Sequence, residues 1–198
     1  MALPQAMPIF EPKEYLALER STETRHEYLD GFVYAMAGES PEHSTICFNL
    51  SGLVYVQLLD SPCRGYSPNM KVRNDPADLY SYPDLAIVCG EPIYHDAHRD
   101  VVLNPTVVFE VLSPSTEKYD RGEKSLRYRE NIETLQNYVL VSQKQPRIEC
   151  FTRQPDGSWS SLEINGLAET FDLPSIGCRV PLADVYRRIV FPNIEVNS

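Results

Sequence analysis

The chain has 198 residues, of which 42% are hydrophobic and 23% charged, and its formal net charge is −10. That length suits one domain with a complete core, and the acidic balance excludes binding to nucleic acid through a broad positive field. No Gly/Ser-rich linker, low-complexity tract or repeat divides residues 1–198, so a single domain is expected, with its core at about residues 40–142.

The opening residues include Glu11, Lys13, Glu14, Glu19 and Arg20, which interrupt any apolar segment of a secretory leader. The longest apolar runs, such as residues 107–112 with Glu110 inside them, fall far short of a membrane span. A soluble, cytoplasmic protein with no membrane contact is the expectation. Residues 12–20 read as a short helix. The alternating stretch 26–36 breaks at Asp30-Gly31, a two-residue hairpin signal that puts Glu27 on a strand. Ser40-Pro41 supplies an N-cap and a proline for the first helical position, and Ile46, Leu50, Leu53, Val54 and Leu58 then recur at helical spacing.

Three strand candidates follow at residues 65–72, 84–88 and 106–112, the last two rich in β-branched and apolar residues that suit a sheet covered on both faces. A loop at 89–105 separates those two. Asp120 with Glu123 forms a capping-box-like start to a helix ending near Asn131, and residues 137–141 read as a fourth strand. Stretches 148–151 and 159–164 pair around Pro155-Asp156-Gly157-Ser158, and a short helix at 182–188 follows. Cys47, Cys63, Cys89, Cys150 and Cys178 are odd in number and lack a Cys-x-x-Cys pair, so they read as reduced thiols.

Charge is unevenly spread: −6 over residues 1–60 (3 basic, 9 acidic), −3 over 61–116 (4 and 7) and −1 over 117–198 (11 and 12). Lys118, Arg121, Lys124, Arg127 and Arg129 crowd one short segment, a candidate basic helix face for a phosphate backbone. Two carboxylates stand where sheet physics disfavours them: Asp84 opens the run Leu85-Ala86-Ile87-Val88, and Glu110 interrupts Val107-Val108-Phe109 and Val111-Leu112. A desolvated carboxylate needs a cation or several hydrogen bonds. Magnesium meets that need with hard oxygen ligands and positions left for water and phosphate; a Lys or Arg beside Glu110 and a turn hydrogen bond at Asp84 meet it equally. His95-x-x-His98 lies in a polar loop without a third ligand at a telling spacing, and Ser113-Pro114-Ser115-Thr116 lacks the glycines of a nucleophile elbow and reads as a turn.

Tyr82-Pro83-Asp84, the run Glu110-Val111-Leu112-Ser113-Pro114-Ser115-Thr116, Glu27-Tyr28-Leu29-Asp30-Gly31, Pro41-Glu42-His43 and Asp120-Arg121-Gly122-Glu123-Lys124 resemble the bacterial Uma-type putative restriction-endonuclease family of the PD-(D/E)XK nuclease superfamily. The resemblance covers roughly Tyr15 to Leu140. It implies an α/β, restriction-endonuclease-like fold: a central mixed sheet flanked by helices, with an N-terminal hairpin and a C-terminal β extension. It further implies that Asp84, Glu110 and the backbone carbonyl of Val111 hold Mg2+, with Mn2+ as substitute. The superfamily's strand lysine would fall at Leu112, so Lys124 is its replacement from the following helix, there to position the attacking water and offset charge on phosphate. Read without the resemblance, Lys124 is an ordinary helix lysine. Glu27 matches the family's hairpin glutamate, and Tyr128, one turn beyond Lys124, is a further hydrogen-bonding candidate.

The function these readings imply is metal-dependent phosphodiester hydrolysis by a DNA endonuclease, with Asp84, Glu110 and Lys124 catalytic and a homodimer suited to paired cuts. The alternative is a noncatalytic nuclease-fold module that binds DNA or protein.

Overall fold

The computed structural model describes residues 10–36, 38–75 and 78–191. Pro12 opens α1 (Pro12–Ser21), where Glu11 and Glu14 close a reciprocal capping box. Asp30 and Gly31 both take positive φ, 50° and 84°, the pairing that a two-residue hairpin requires. They join β1 (His26–Leu29) to β2 (Phe32–Ala35). The Ser40 side chain accepts the His43 backbone N–H and begins α2 (Pro41–Leu58), which buries His43, Ile46, Leu50, Val54 and Leu58 along one face.

The strand expected at 65–72 divides in two. β3 (Cys63–Tyr66) and β4 (Lys71–Asn74) belong to different sheets, because Pro68 has no N–H for a ladder and the Met70 N–H turns back onto the Ser67 carbonyl at 3.0 Å. Next come β5 (Leu79–Ser81), β6 (Leu85–Cys89), β7 (Val101–Val102) and β8 (Val107–Leu112). The single helix expected after β8 is three joined pieces: α3 (Glu117–Tyr119), a π turn (Asp120–Lys124) and α4 (Ser125–Asn131). β9 (Asn137–Ser142), β10 (Arg147–Arg153), β11 (Trp159–Asn165), β12 (Thr170–Leu173), β13 (Cys178–Pro181) and α5 (Leu182–Val185) follow.

The central sheet has the order β11-β10-β9-β8-β6-β3 and is mixed, with β8 and β9 parallel. Its two faces alternate residue by residue: Val107, Phe109 and Val111 join the core under α2, while Val108 and Leu112 join the core with Tyr128, Tyr138 and Leu29. This is the α/β architecture expected, with one difference. The N-terminal hairpin is the edge of a second, five-stranded sheet, β2-β1-β5-β4-β7, rather than an appendage.

Cys63 and Cys89 face each other in the β3–β6 register and form a disulfide. The reading of all five cysteines as reduced thiols therefore holds only for Cys47, Cys150 and Cys178; a separation of 26 residues gives no hint of the register that joins the other two. Among the described residues no helix is long and apolar enough to cross a membrane.

Phe109 is 0% exposed in the core of β8. Phe109→Ala is expected to lower the unfolding free energy by about 3–5 kcal/mol, measured by equilibrium chemical denaturation; a loss below about 1 kcal/mol would contradict the packing described.

Candidate active site

β6 and β8 pair antiparallel with Leu85 opposite Phe109; Asp84 immediately precedes that pair on one side and Glu110 immediately follows it on the other, so continuing the register sets the two opposite each other. Opposite residues of an antiparallel pair project to the same face with Cβ atoms about 4.5–5.5 Å apart. Register alone therefore turns both carboxylates into one cavity of about 340 Å³, which Glu27, His43, Val111, Asp120 and Lys124 also line. Asp84 Oδ2 accepts the Val111 backbone N–H at 2.6 Å and lies 3.3 Å from His43 Nε2.

The π turn carries Asp120 and Lys124 inward, and both are buried. Lys124 Nζ lies 3.0 Å from Oε1 of Glu110, 3.0 Å from Oε1 of Glu27 and 3.6 Å from Oδ1 of Asp120. Glu27 Oε1 also accepts the Tyr82 backbone N–H at 3.2 Å. The Tyr138 hydroxyl donates to the Asp120 carbonyl at 3.0 Å, tying the widened turn to β9. Glu110 Oε1 is buried and close to the ammonium, yet it receives no aligned hydrogen bond.

Burial pushes the Glu110 carboxyl well above its ordinary value, with Lys124 opposing and Asp120, Asp84 and Glu27 adding to the rise. Burial raises Asp120 as well. For Lys124, burial disfavours the charge, but Glu110, Glu27 and Asp120 together outweigh it and hold the ammonium well above its ordinary value. Three carboxylates thus share one ammonium, which leaves an acidic excess if all ionise. The Asp84 and Glu110 oxygens are hard donors lining the same cavity, a donor set that fits a divalent cation such as Mg2+ or Mn2+.

The structure thus brings Asp84, Glu110, Lys124, Glu27 and Val111 around a single cavity. Tyr128 is placed elsewhere: it is fully buried, outside the lining, and its hydroxyl shares a 2.6 Å hydrogen bond with Ser81 Oγ. The basic helix face is corrected too. Besides the inward Lys124, Arg121 pairs with Glu117 and Glu149, Arg127 with Asp30 and Glu123, and Arg129 stacks over Phe151 at 4.3 Å. Acidic neighbours in the same helical segment, together with Glu149, Asp30 and Phe151 from other elements, meet the charge of these three arginines. His95 sits against Arg73, and Asp96 and Asp100 bind Arg20, so the His95-x-x-His98 loop is built around arginines. Ser113 Oγ accepts the Thr116 backbone N–H at 3.1 Å, the turn expected there, at the cavity wall.

Two lining residues escaped the sequence-based site. Asp120 looked like a helix cap; only the π turn reveals it as a buried acid. His43 was readable as the third residue of a capped helix, but its approach to Asp84 depends on tertiary packing.

A family model described as Uma2, "Putative restriction endonuclease", matches residues 12–183. The uncharacterized protein slr1290 of Synechocystis sp. is 35% identical over 184 residues, covering 93% of this chain and 95% of its own. A second Synechocystis protein, sll1609, is 31% identical over 158 residues, covering 80% and 89%. The fold is similar to a crystal structure described as a putative nuclease belonging to DUF820 from Anabaena variabilis, with a TM-score of 0.73 and 16% identity, covering 90% of this chain and 98% of that one.

A carboxyl whose pKa is higher folded than unfolded keeps its proton in the folded state after the unfolded chain has lost it, so stability falls as pH rises. For Glu110 that fall begins above its ordinary value of 4.5 and continues up to the raised folded value. Without divalent cations, unfolding free energy is therefore expected to decline as pH rises from about 4.5 toward neutrality, with a shallower decline in Glu110→Gln. Denaturation midpoints across that range check it; equal slopes in the two proteins would contradict the assignment.

Proposed function

This chain belongs to the Uma2 family, whose description is "Putative restriction endonuclease", and from that premise we propose that it is a metal-dependent phosphodiester hydrolase, a DNA endonuclease, in which Asp84 and Glu110 hold Mg2+. The observation that carries this reading is that Asp84 and the buried Glu110 line one cavity, with the Lys124 ammonium 3.0 Å from Glu110 Oε1. When bound, Mg2+ or Mn2+ would act as a Lewis acid that polarises the scissile phosphate and favours ionisation of the attacking water. The remaining work falls to the chain. The Val111 N–H and His43 orient the Asp84 carboxylate. Glu27 and Asp120 keep Lys124 charged and fixed, so its ammonium can orient water and offset negative charge developing on phosphate. Water adds to phosphorus, the bond to the leaving sugar oxygen breaks, and that oxygen takes up a proton. Arg25 adds a second cationic side chain to the cavity lining. Paired cuts on duplex DNA call for a homodimer.

A second reading, a noncatalytic nuclease-fold module, is favoured by one observation. Burial raises the Glu110 and Asp120 carboxyls, which disfavours their charged forms and so lessens the need for a cation beside Lys124. Calorimetry separates the two: divalent-ion binding that requires both Asp84 and Glu110 supports the hydrolase, and its absence supports the module.

With supercoiled plasmid and Mg2+ or Mn2+, the wild type is expected to nick DNA, and Asp84→Ala and Glu110→Ala to lose roughly 10²–10³-fold or more in rate. Lys124→Ala is expected to lose a comparable factor. No cleavage over a broad set of metals and DNA forms, or undiminished cleavage by either carboxylate variant, would overturn the proposal.

A further inference from the structure

Beside Asp84, α2 presents a different chemistry. His43 and Cys47 are one helical turn apart on one face, and with Asp84 they each offer a ligand atom, all within 4.8 Å of one another. The two contacts use opposite ring nitrogens, Cys47 Sγ lying 3.5 Å from His43 Nδ1 and Asp84 Oδ2 3.3 Å from His43 Nε2. One ion takes one of these nitrogens, so three ligand atoms within 4.8 Å of one another close by about 1 Å to reach the roughly 3.4–3.6 Å ligand separations of tetrahedral zinc.

We propose that His43, Cys47 and Asp84 form a site for a borderline-soft divalent cation, Zn2+ or Co2+, distinct in ligand chemistry from the all-oxygen Asp84–Glu110 pair. Sulfur and imidazole select such ions over Mg2+, which takes oxygen. Cys47 is a free thiol and half-buried, so it is neither consumed in a disulfide nor wholly sealed in the core. His43 and Asp84 line the cavity, which gives the ion an entry path and leaves a fourth position for water. On binding, a bond forms between the ion and Sγ, and the thiol proton leaves to solvent. The turn of α2 that carries these residues is anchored independently of any ion: Ser40 caps the helix, and Glu39 Oε2 lies 3.6 Å from His43 Nδ1.

The site shares Asp84 with the proposed Mg2+ position. Resting on the hydrolase reading, a Zn2+ ion held by His43 and Cys47 draws Asp84 away from the catalytic pair and inhibits the Mg2+ reaction.

The test is titration of the full-length protein with Co2+ in the absence of nucleic acid, so that its outcome is independent of any nuclease activity. The expected result is a sulfur-to-cobalt charge-transfer absorption in the near ultraviolet, saturating at one ion per chain, lost in Cys47→Ser and weakened in affinity by about tenfold or more in His43→Ala. In the wild type, Zn2+ is further expected to slow alkylation of Cys47, read by mass spectrometry. A cobalt complex without the thiolate band, a band that persists in Cys47→Ser, or Cys47 alkylation unaffected by Zn2+ would each overturn the site. Zn2+ inhibition of plasmid nicking that is relieved in Cys47→Ser then reports the coupling separately.

Discussion

One buried ammonium sets the electrical terms of this cavity. Taking a lysine charge out of water costs several kcal/mol unless opposite charge meets it, and Lys124 is met by Glu110, Glu27 and Asp120 within 3.6 Å. The converse is as important. Without Lys124 those acids would stand together in low dielectric with nothing between them, so the lysine is as much a condition for the acidic cluster as its beneficiary.

The same economy explains why the cluster sits between two sheets. Asp84 and Glu110 come from the central sheet, Glu27 from the hairpin edge of the second, and Lys124 with Asp120 from the helical crossing that packs over both. Tyr82, two residues before Asp84, is fixed by a chain of polar contacts: its hydroxyl donates to Glu19 Oε1 at 2.7 Å and accepts from Lys71 at 3.3 Å, and Lys71 pairs with Asp100, itself held by Arg20. Rigid support of this kind holds side chains in place before a ligand arrives.

Much of this was legible along the chain because the signals were local. Asp30-Gly31 needs no partner to announce a hairpin, and α2 shows its buried face through spacing alone. Asp84 and Glu110 stand out because charge interrupts apolar runs, and their strand register then brings them face to face. What was hidden required tertiary knowledge. β5 and β7 are too short to show a period. Asp120 looked like a cap until the π turn rotated it inward. Arg121 and Arg127 looked like a basic surface until Glu149 and Asp30 folded against them, and Cys63 meets Cys89 only through sheet register.

The two ties between hairpin and helix, Glu27 to Lys124 and Asp30 to Arg127, each span 97 residues. Loops of that length close late, since chain entropy must be lost before such contacts form. A polypeptide that has made its helices and local strand pairs can already set Asp120 and Glu110 beside Lys124, but it lacks Glu27 until the N-terminal hairpin docks on the helical crossing. Assembly of the cavity is therefore coupled to completion of the fold rather than to any early, local step.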